Sequence, residues 1–427
     1  MLIKKKKLIN FFFLTFIFLI LLIFPAKDLA GLTIISLVVF LTLIALKNHP
    51  SLGFFMIVAL AIRIYIICIG SIFVLPDSVG DASEFEKIAW EWSKDGFFTA
   101  LSHYTGPNSK FISWIIALFY SILGRSILLA QSLSLFFGMA SIFLGWLLTK
   151  KLWDSYSANK AGWLFALYPT LALYSTLILR EVYITFFFLL ALHGIVNWTK
   201  NGDLKSIFLT AFGFIGATFF HGAMFLGLIV FFIIIGLNSF TILFRSLLRM
   251  RINLRSLIIF ASILIFGIII MVNKISIPKL GNLNESFDIS IRLDMLSNTM
   301  TGDASYPIWL KINSPIEFIY KGPIRMIYFI ASPFPWDITK PKHILGAFEG
   351  FFFTLMVYLI WCNRKAIWEN KAMRIIIIIL IVYIFIFAIG VGNFGTTTRH
   401  RSKFIMVLIS IAAPYITNFR IGKNKSL

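Results

Sequence analysis

The residues able to do chemistry fall into a few short stretches. Asp81 follows Gly80 in a segment that also holds Asp77, Glu84, Glu86, Glu91 and Asp95. Arg180 and Glu181 stand side by side between two apolar runs, and Arg399-His400-Arg401 interrupts the approach to the last one. A carboxylate near a reacting hydroxyl can act as general base. Paired guanidinium groups grip phosphate oxygens through two N–H donors each. Together they point to acid–base work on a ligand that carries phosphate. Each also has a plainer reading. Asp81 suits the N-cap of a following helix, a role compatible with catalysis. Arg180 and Glu181 suit a local ion pair that anchors a turn, and the arginine patch suits lipid headgroups.

The remaining candidates are scattered. Arg63 and Glu349 lie inside apolar runs, where an ionisable group is a functional candidate by default. His221 sits at a junction between two such runs, Glu84 lies three residues past Asp81, and Trp336 closes the sequence Ser332-Pro333-Phe334-Pro335-Trp336. His193, deeper in its run, reads as a structural hydrogen-bonder.

The elements that must position these groups are membrane helices. Hydrophobic residues make up 59% of the 427, charged residues only 13%, and the mean hydropathy is +0.90. That composition excludes a soluble domain and predicts an all-α polytopic membrane protein. Apolar runs near the length of a bilayer span occur at 8–25, 30–46, 52–75, 127–148, 162–179, 183–198, 206–220, 222–238, 257–272, 344–361, 375–391 and 404–418, about twelve transmembrane helices. The run 111–123 is too short and reads as interfacial. With that choice the inner loops take Lys4–Lys7, Lys150, Lys151, Lys160, Lys200, Lys205, Arg245, Arg249, Arg251, Arg255, Arg364, Lys365, Lys371, Arg374 and the basic C-terminal tail, as the positive-inside rule requires. The net charge of +21 is then mostly topogenic and gives no reason to expect nucleic acid. Both termini are expected in the cytoplasm, with the N-terminal run retained as an anchor.

Three regions follow: two N-terminal helices over 1–51, a core over 52–238 with an outer loop at 76–126, and a C-terminal region over 239–427 with an outer loop at 273–343. In the first loop 82–92 has helical spacing, with Phe85, Ile88, Ala89 and Trp92 on one face, so it and 111–123 are expected as interfacial helices. The second loop has a third interfacial element at 324–331, which returns Trp336 to the membrane surface. Cys68 and Cys362 lie at different depths and support no disulfide. No phosphate-cradling loop, no His-Glu-x-x-His pair and no Gly-x-Ser-x-Gly elbow occurs, so ATP-driven transport and zinc proteolysis have no support.

From Arg63 through Asp81 to Gly96 the chain resembles the C-type integral membrane glycosyltransferases, which use polyprenyl-phosphate sugars. Asp81, Phe85 and Ala89 match that family's essential outer-loop aspartate and the helix behind it. Leu123-Gly124-Arg125-Ser126 and Ala166-Leu167-Tyr168-Pro169 are also similar, and Glu181 falls where a second acid is often found. The resemblance covers roughly 63–198. It implies a GT-C-like fold, with Asp81 as the catalytic base and Glu181 as its alternative or orienting partner; a departing donor phosphate needs cations, and Arg399, Arg401, His400 and Arg180 are the candidates for that. It also implies a polyprenyl-phosphate-linked sugar as donor, a glycan, lipid or protein as acceptor, and a site on the outer face of the plasma (inner) membrane. Two extra spans precede Arg63, no sizeable soluble C-terminal domain follows, and Glu181 replaces an Asp-rich pattern. No metal site is therefore assigned, and a divalent cation stays open. The arginine patch and the 332–336 loop resemble polysaccharide-assembly proteins, which keeps a repeat-unit polymerase or ligase as the first alternative. A lipid-sugar flippase is the second.

Overall fold

The structure is a computed structural model that describes residues 28–250, 253–272, 276–277, 281–282, 304–314, 316–340 and 342–416. The expected span at 8–25, the stretch 283–303 of the second outer loop and the basic tail lie outside the described residues.

Helices dominate. In chain order they are α1 (Leu29–Asn48), α2 (Phe55–Gly70), α3 (Asp81–Ser93), α4 (Phe97–Ser102), α5 (Phe111–Leu123), α6 (Ile127–Leu152), α7 (Ser155–Leu167), α8 (Pro169–Tyr174), α9 (Glu181–Asn201), α10 (Leu204–Phe220), α11 (Phe225–Leu248), α12 (Leu254–Val272), α13 (Glu317–Ala331), α14 (Lys342–Cys362), α15 (Arg364–Glu369), α16 (Lys371–Gly390) and α17 (Phe394–Ala412). A two-residue antiparallel ladder, Ser276–Ile277 against Gly281–Asn282, is the one strand pair among the described residues. Among the described residues six helical segments are long and apolar enough to cross a membrane: α1, α6, α9, Gly222–Leu248, His343–Cys362 and α16. The apolar helices α2, α5 and α10 are shorter.

Two expected spans take a different form. The run 162–179 is not one helix. Pro169 has no N–H to continue the ladder and pushes Tyr168 into extended backbone (φ −65°, ψ 122°), so α7 stops and the six-residue α8 starts afresh. The helix at the last expected span begins at Phe394 rather than 404, because the Asn393 side chain accepts from the amides of Gly395 (2.7 Å) and Thr396 (3.3 Å) and caps it there. Arg399-His400-Arg401 is therefore helical.

The chain forms two compact units, one of residues 1–143 and 165–183, the other of 144–164 and 184–427. In the first, the amphipathic helices α3, α4 and α5 pack on one another, α5 burying Ile112, Ile116, Ala117 and Tyr120. Gly31 of α1 lies so close to the Leu128 backbone that a Cβ would fall 2.8 Å from it. In the second, α17 is central: every residue from His400 to Ala412 is buried, as befits a helix enclosed on all sides. Phe188, Tyr383, Phe387 and Phe404 interlock around it, and α13 lies along α16.

Candidate functional site

In the first unit the two candidate catalytic carboxylates, Asp81 and Glu181, sit where helices begin. Gly80 (φ +90°) is the N-cap of α3 and Asp81 its first helical residue, so the plainer of the two readings of Asp81, as the cap itself, does not hold. Glu181 likewise opens α9. Both side chains stand at the positive end of a helix dipole, which favours an anion. Asp81 is half-buried, whereas Glu181 is only 1% exposed and Arg180 8%. Glu84 is exposed in the first turn of α3.

The two stretches share one end of this unit. The Arg180 guanidinium lies 6.0 Å from the centre of the Phe85 ring, one turn along α3 from Asp81. The Tyr174 hydroxyl, at the end of α8, donates to Asp77 Oδ2 at 2.9 Å. The break at Pro169 thus brings the chain to the Asp81 loop before α9 begins. Behind α3, Glu86 accepts two bonds from Arg125 (2.9 and 2.8 Å) and a longer one from Tyr120 (3.4 Å). The pair holds the Arg125 guanidinium above its ordinary pKa, chiefly through the hydrogen bond to Glu86. Arg125 also lies over Trp90. Glu86 is structural, then, and Asp81 stands on a different face of α3.

Arg63 has a structural task. Its guanidinium donates to the carbonyls of Ala59 (3.0 Å), Ala166 (3.2 Å) and Phe165 (3.3 Å). The last two belong to the end of α7, where Pro169 leaves carbonyls without helical donors.

In the second unit Arg401 and Arg325 do similar work. Arg401 donates to Ile330 O (3.1 Å) and Thr398 Oγ1 (3.0 Å), tying α17 to the end of α13. Arg325 donates to the carbonyls of Leu310, Ala388, Ile389 and Val391 and so closes the C-terminus of α16. Burial pulls the Arg325 guanidinium below its usual pKa. Glu349 is buried in α14, and its neighbour Gly350 faces Arg401 so closely that a Cβ would lie 2.8 Å from Nη1. Arg399 is half-buried.

Sequence reasoning gave Lys403 no role of its own. It is fully buried, its ammonium lies 2.6 Å from His400 Nδ1, and it sits 4.9 Å from the Phe387 ring. His221 packs edge-on against His400, with ring centres 5.5 Å apart. The signal for this cluster was present in the Asn393 cap, which sets 400 and 403 one turn apart on a helix. Trp336 is 73% exposed and stacks on Phe334. His193 bonds Leu144 O at 2.9 Å.

Among the described residues no three His, Cys, Asp or Glu side chains gather so as to hold a metal ion. No family model, no curated protein and no solved structure matches this chain.

Proposed function

We propose that the chain is a membrane glycosyltransferase that moves a sugar from a polyprenyl-phosphate donor to an acceptor hydroxyl, in the assembly of a cell-surface glycan, glycolipid or glycoprotein. The observation that carries this reading is the grouping, at one end of the first unit, of a half-buried Asp81 with Arg180 above Phe85 and Glu181 beside it. Asp81 takes the proton of the acceptor hydroxyl as its oxygen bonds to the anomeric carbon. The bond from that carbon to the phosphate oxygen breaks, its electron pair leaves with the lipid phosphate, and Arg180 stabilises the charge. A single displacement inverts the anomeric centre. Glu181 orients Arg180 or the acceptor. Arg401, tied to Ile330 and Thr398, is better suited to holding α17 than to gripping a ligand.

In this reading α2, α10, α12, the broken α7–α8 pair and α17 add to the six long spans, and 8–25 completes twelve. The site faces the extracytoplasmic side of a plasma membrane and both termini face the cytoplasm. The grouping of Lys151, Lys200 and Lys371 with Asn197 and Trp198, at one end of the second unit, supports that orientation.

The decisive experiment is transfer from a polyprenyl-phosphate-linked sugar in membranes carrying the wild-type chain or Asp81→Asn. The variant should lose transfer by at least about a hundredfold, and full activity would refute the assignment. A polymerase or ligase acting on a lipid diphosphate is the second reading, favoured by the basic side chains along α17. It predicts that Arg399→Ala is the more damaging change when the two are compared side by side. Net transport without a covalent product would point instead to a flippase.

A further inference from the structure

Asp77 has a backbone that side chains seldom adopt: its φ is +58°. Aspartate tolerates this left-handed region better than most residues, yet still at some cost. Local bonds account for the two ends of the turn: Ser78 N and Oγ both reach Leu75 O (3.2 and 2.7 Å), and Ser83 Oγ and Glu84 N both reach Gly80 O (2.9 Å each). The Ser78–Leu75 bond closes a turn with Pro76 and Asp77 at its centre, which accommodates the positive φ, but neither bond reaches the Asp77 side chain. Its carboxylate accepts from the Tyr174 hydroxyl at 2.9 Å. Tyr174 is anchored, since only 3% of it is exposed and it ends the short helix that follows the Pro169 break. Asp77, in contrast, is exposed. A rigid donor thus holds a strained, solvent-facing acceptor four residues ahead of Asp81, and the same donor lies six residues ahead of Arg180.

We propose that Asp77 is a positioning residue: its bond to Tyr174 latches the 75–80 loop to the segment bearing Arg180 and Glu181, and so fixes where Asp81 stands. This rests on the glycosyltransferase reading for its effect on rate, but the latch itself does not. Asp77 carries out no chemical step. What the site needs from it is an acceptor oxygen and a left-handed backbone, and asparagine supplies both.

The test uses the full chain in lipid nanodiscs, as wild type, Tyr174→Phe, Asp77→Ala and Asp77→Asn. Amide hydrogen exchange over 76–86 is followed alongside transfer from a polyprenyl-phosphate sugar. Tyr174→Phe keeps the buried ring and removes only the donor. It and Asp77→Ala should speed exchange about tenfold at Gly80–Glu84 and lower kcat about tenfold to a hundredfold, with donor KM held within about twofold. Asp77→Asn should restore both. The proposal falls if exchange is unchanged in Tyr174→Phe and Asp77→Ala. It also falls if Asp77→Asn is as impaired as Asp77→Ala, since charge would then be the requirement, or if only KM moves. Should the wild-type chain transfer no sugar, the transferase reading fails by itself, and exchange alone decides the latch.

Discussion

Arg63 and Ala166 are joined by a hydrogen bond of 3.2 Å from guanidinium to carbonyl, across 103 residues of sequence. That bond, with its companion to Phe165, satisfies the helix end that Pro169 leaves open. Arg63→Leu would keep much of the volume and orphan those carbonyls. Each orphan costs about 1–3 kcal/mol, so the variant should be destabilised on the order of 2–4 kcal/mol. Thermal unfolding in detergent would show this as a lower Tm, whatever the chain's activity.

Arg180 and Arg401 should separate cleanly. Arg180→Gln should lower kcat/KM for the lipid-linked donor about a hundredfold while leaving the Tm close to wild type. Arg401→Ala should act on folding, because it loosens α17 from the end of α13. Its yield and Tm should drop, with the donor KM of the surviving protein little changed. Measuring Tm and KM for both variants would expose a reversed assignment.

The Glu86–Arg125 pair is lopsided: the carboxylate side chain is 8% exposed and the guanidinium 43%. Removing the arginine strands a nearly buried acid with only the 3.4 Å Tyr120 bond. Arg125→Ala should therefore cost about 1–3 kcal/mol. Glu86→Gln, which keeps hydrogen bonding without the charge, should cost less. A double-mutant cycle on thermal stability tests the order.

Acid should loosen the start of α13. Glu317 is held below the usual carboxylate pKa by the Asn313 amide, which donates at 2.7 Å, and then by Lys321 at 2.9 Å. A depressed carboxylate stabilises the fold above its unfolded pKa of about 4.3, and the benefit disappears as pH falls through the lower folded value. Local exchange over 311–321 should accelerate on acidification below about pH 4, and Glu317→Gln should remove the dependence. A pH series of hydrogen exchange on both proteins checks it.

Much of the helical frame was legible because hydropathy is a local property. The runs behind α1, α6, α9, α14 and α16 are apolar over enough consecutive residues that no tertiary context is needed to recognise them. The spacing of Phe85, Ala89 and their neighbours likewise announced α3, and Asp81 and Glu181 stood out because acids are scarce in such a chain. The proline and asparagine that reshape the other two spans were also visible, yet a sliding reading of hydropathy passes over single residues. What tertiary structure alone decided was the occupation of each charged group. A guanidinium in an apolar run looks functional until the carbonyls it serves are known, and for Arg63 and Arg401 those lie far away in sequence. The same holds for Asp77, whose acceptor role depends on a tyrosine 97 residues further on. Sequence fixes which groups must be hydrogen-bonded, because burial without a partner is costly everywhere. Only the packed chain determines which distant donor or acceptor supplies the bond.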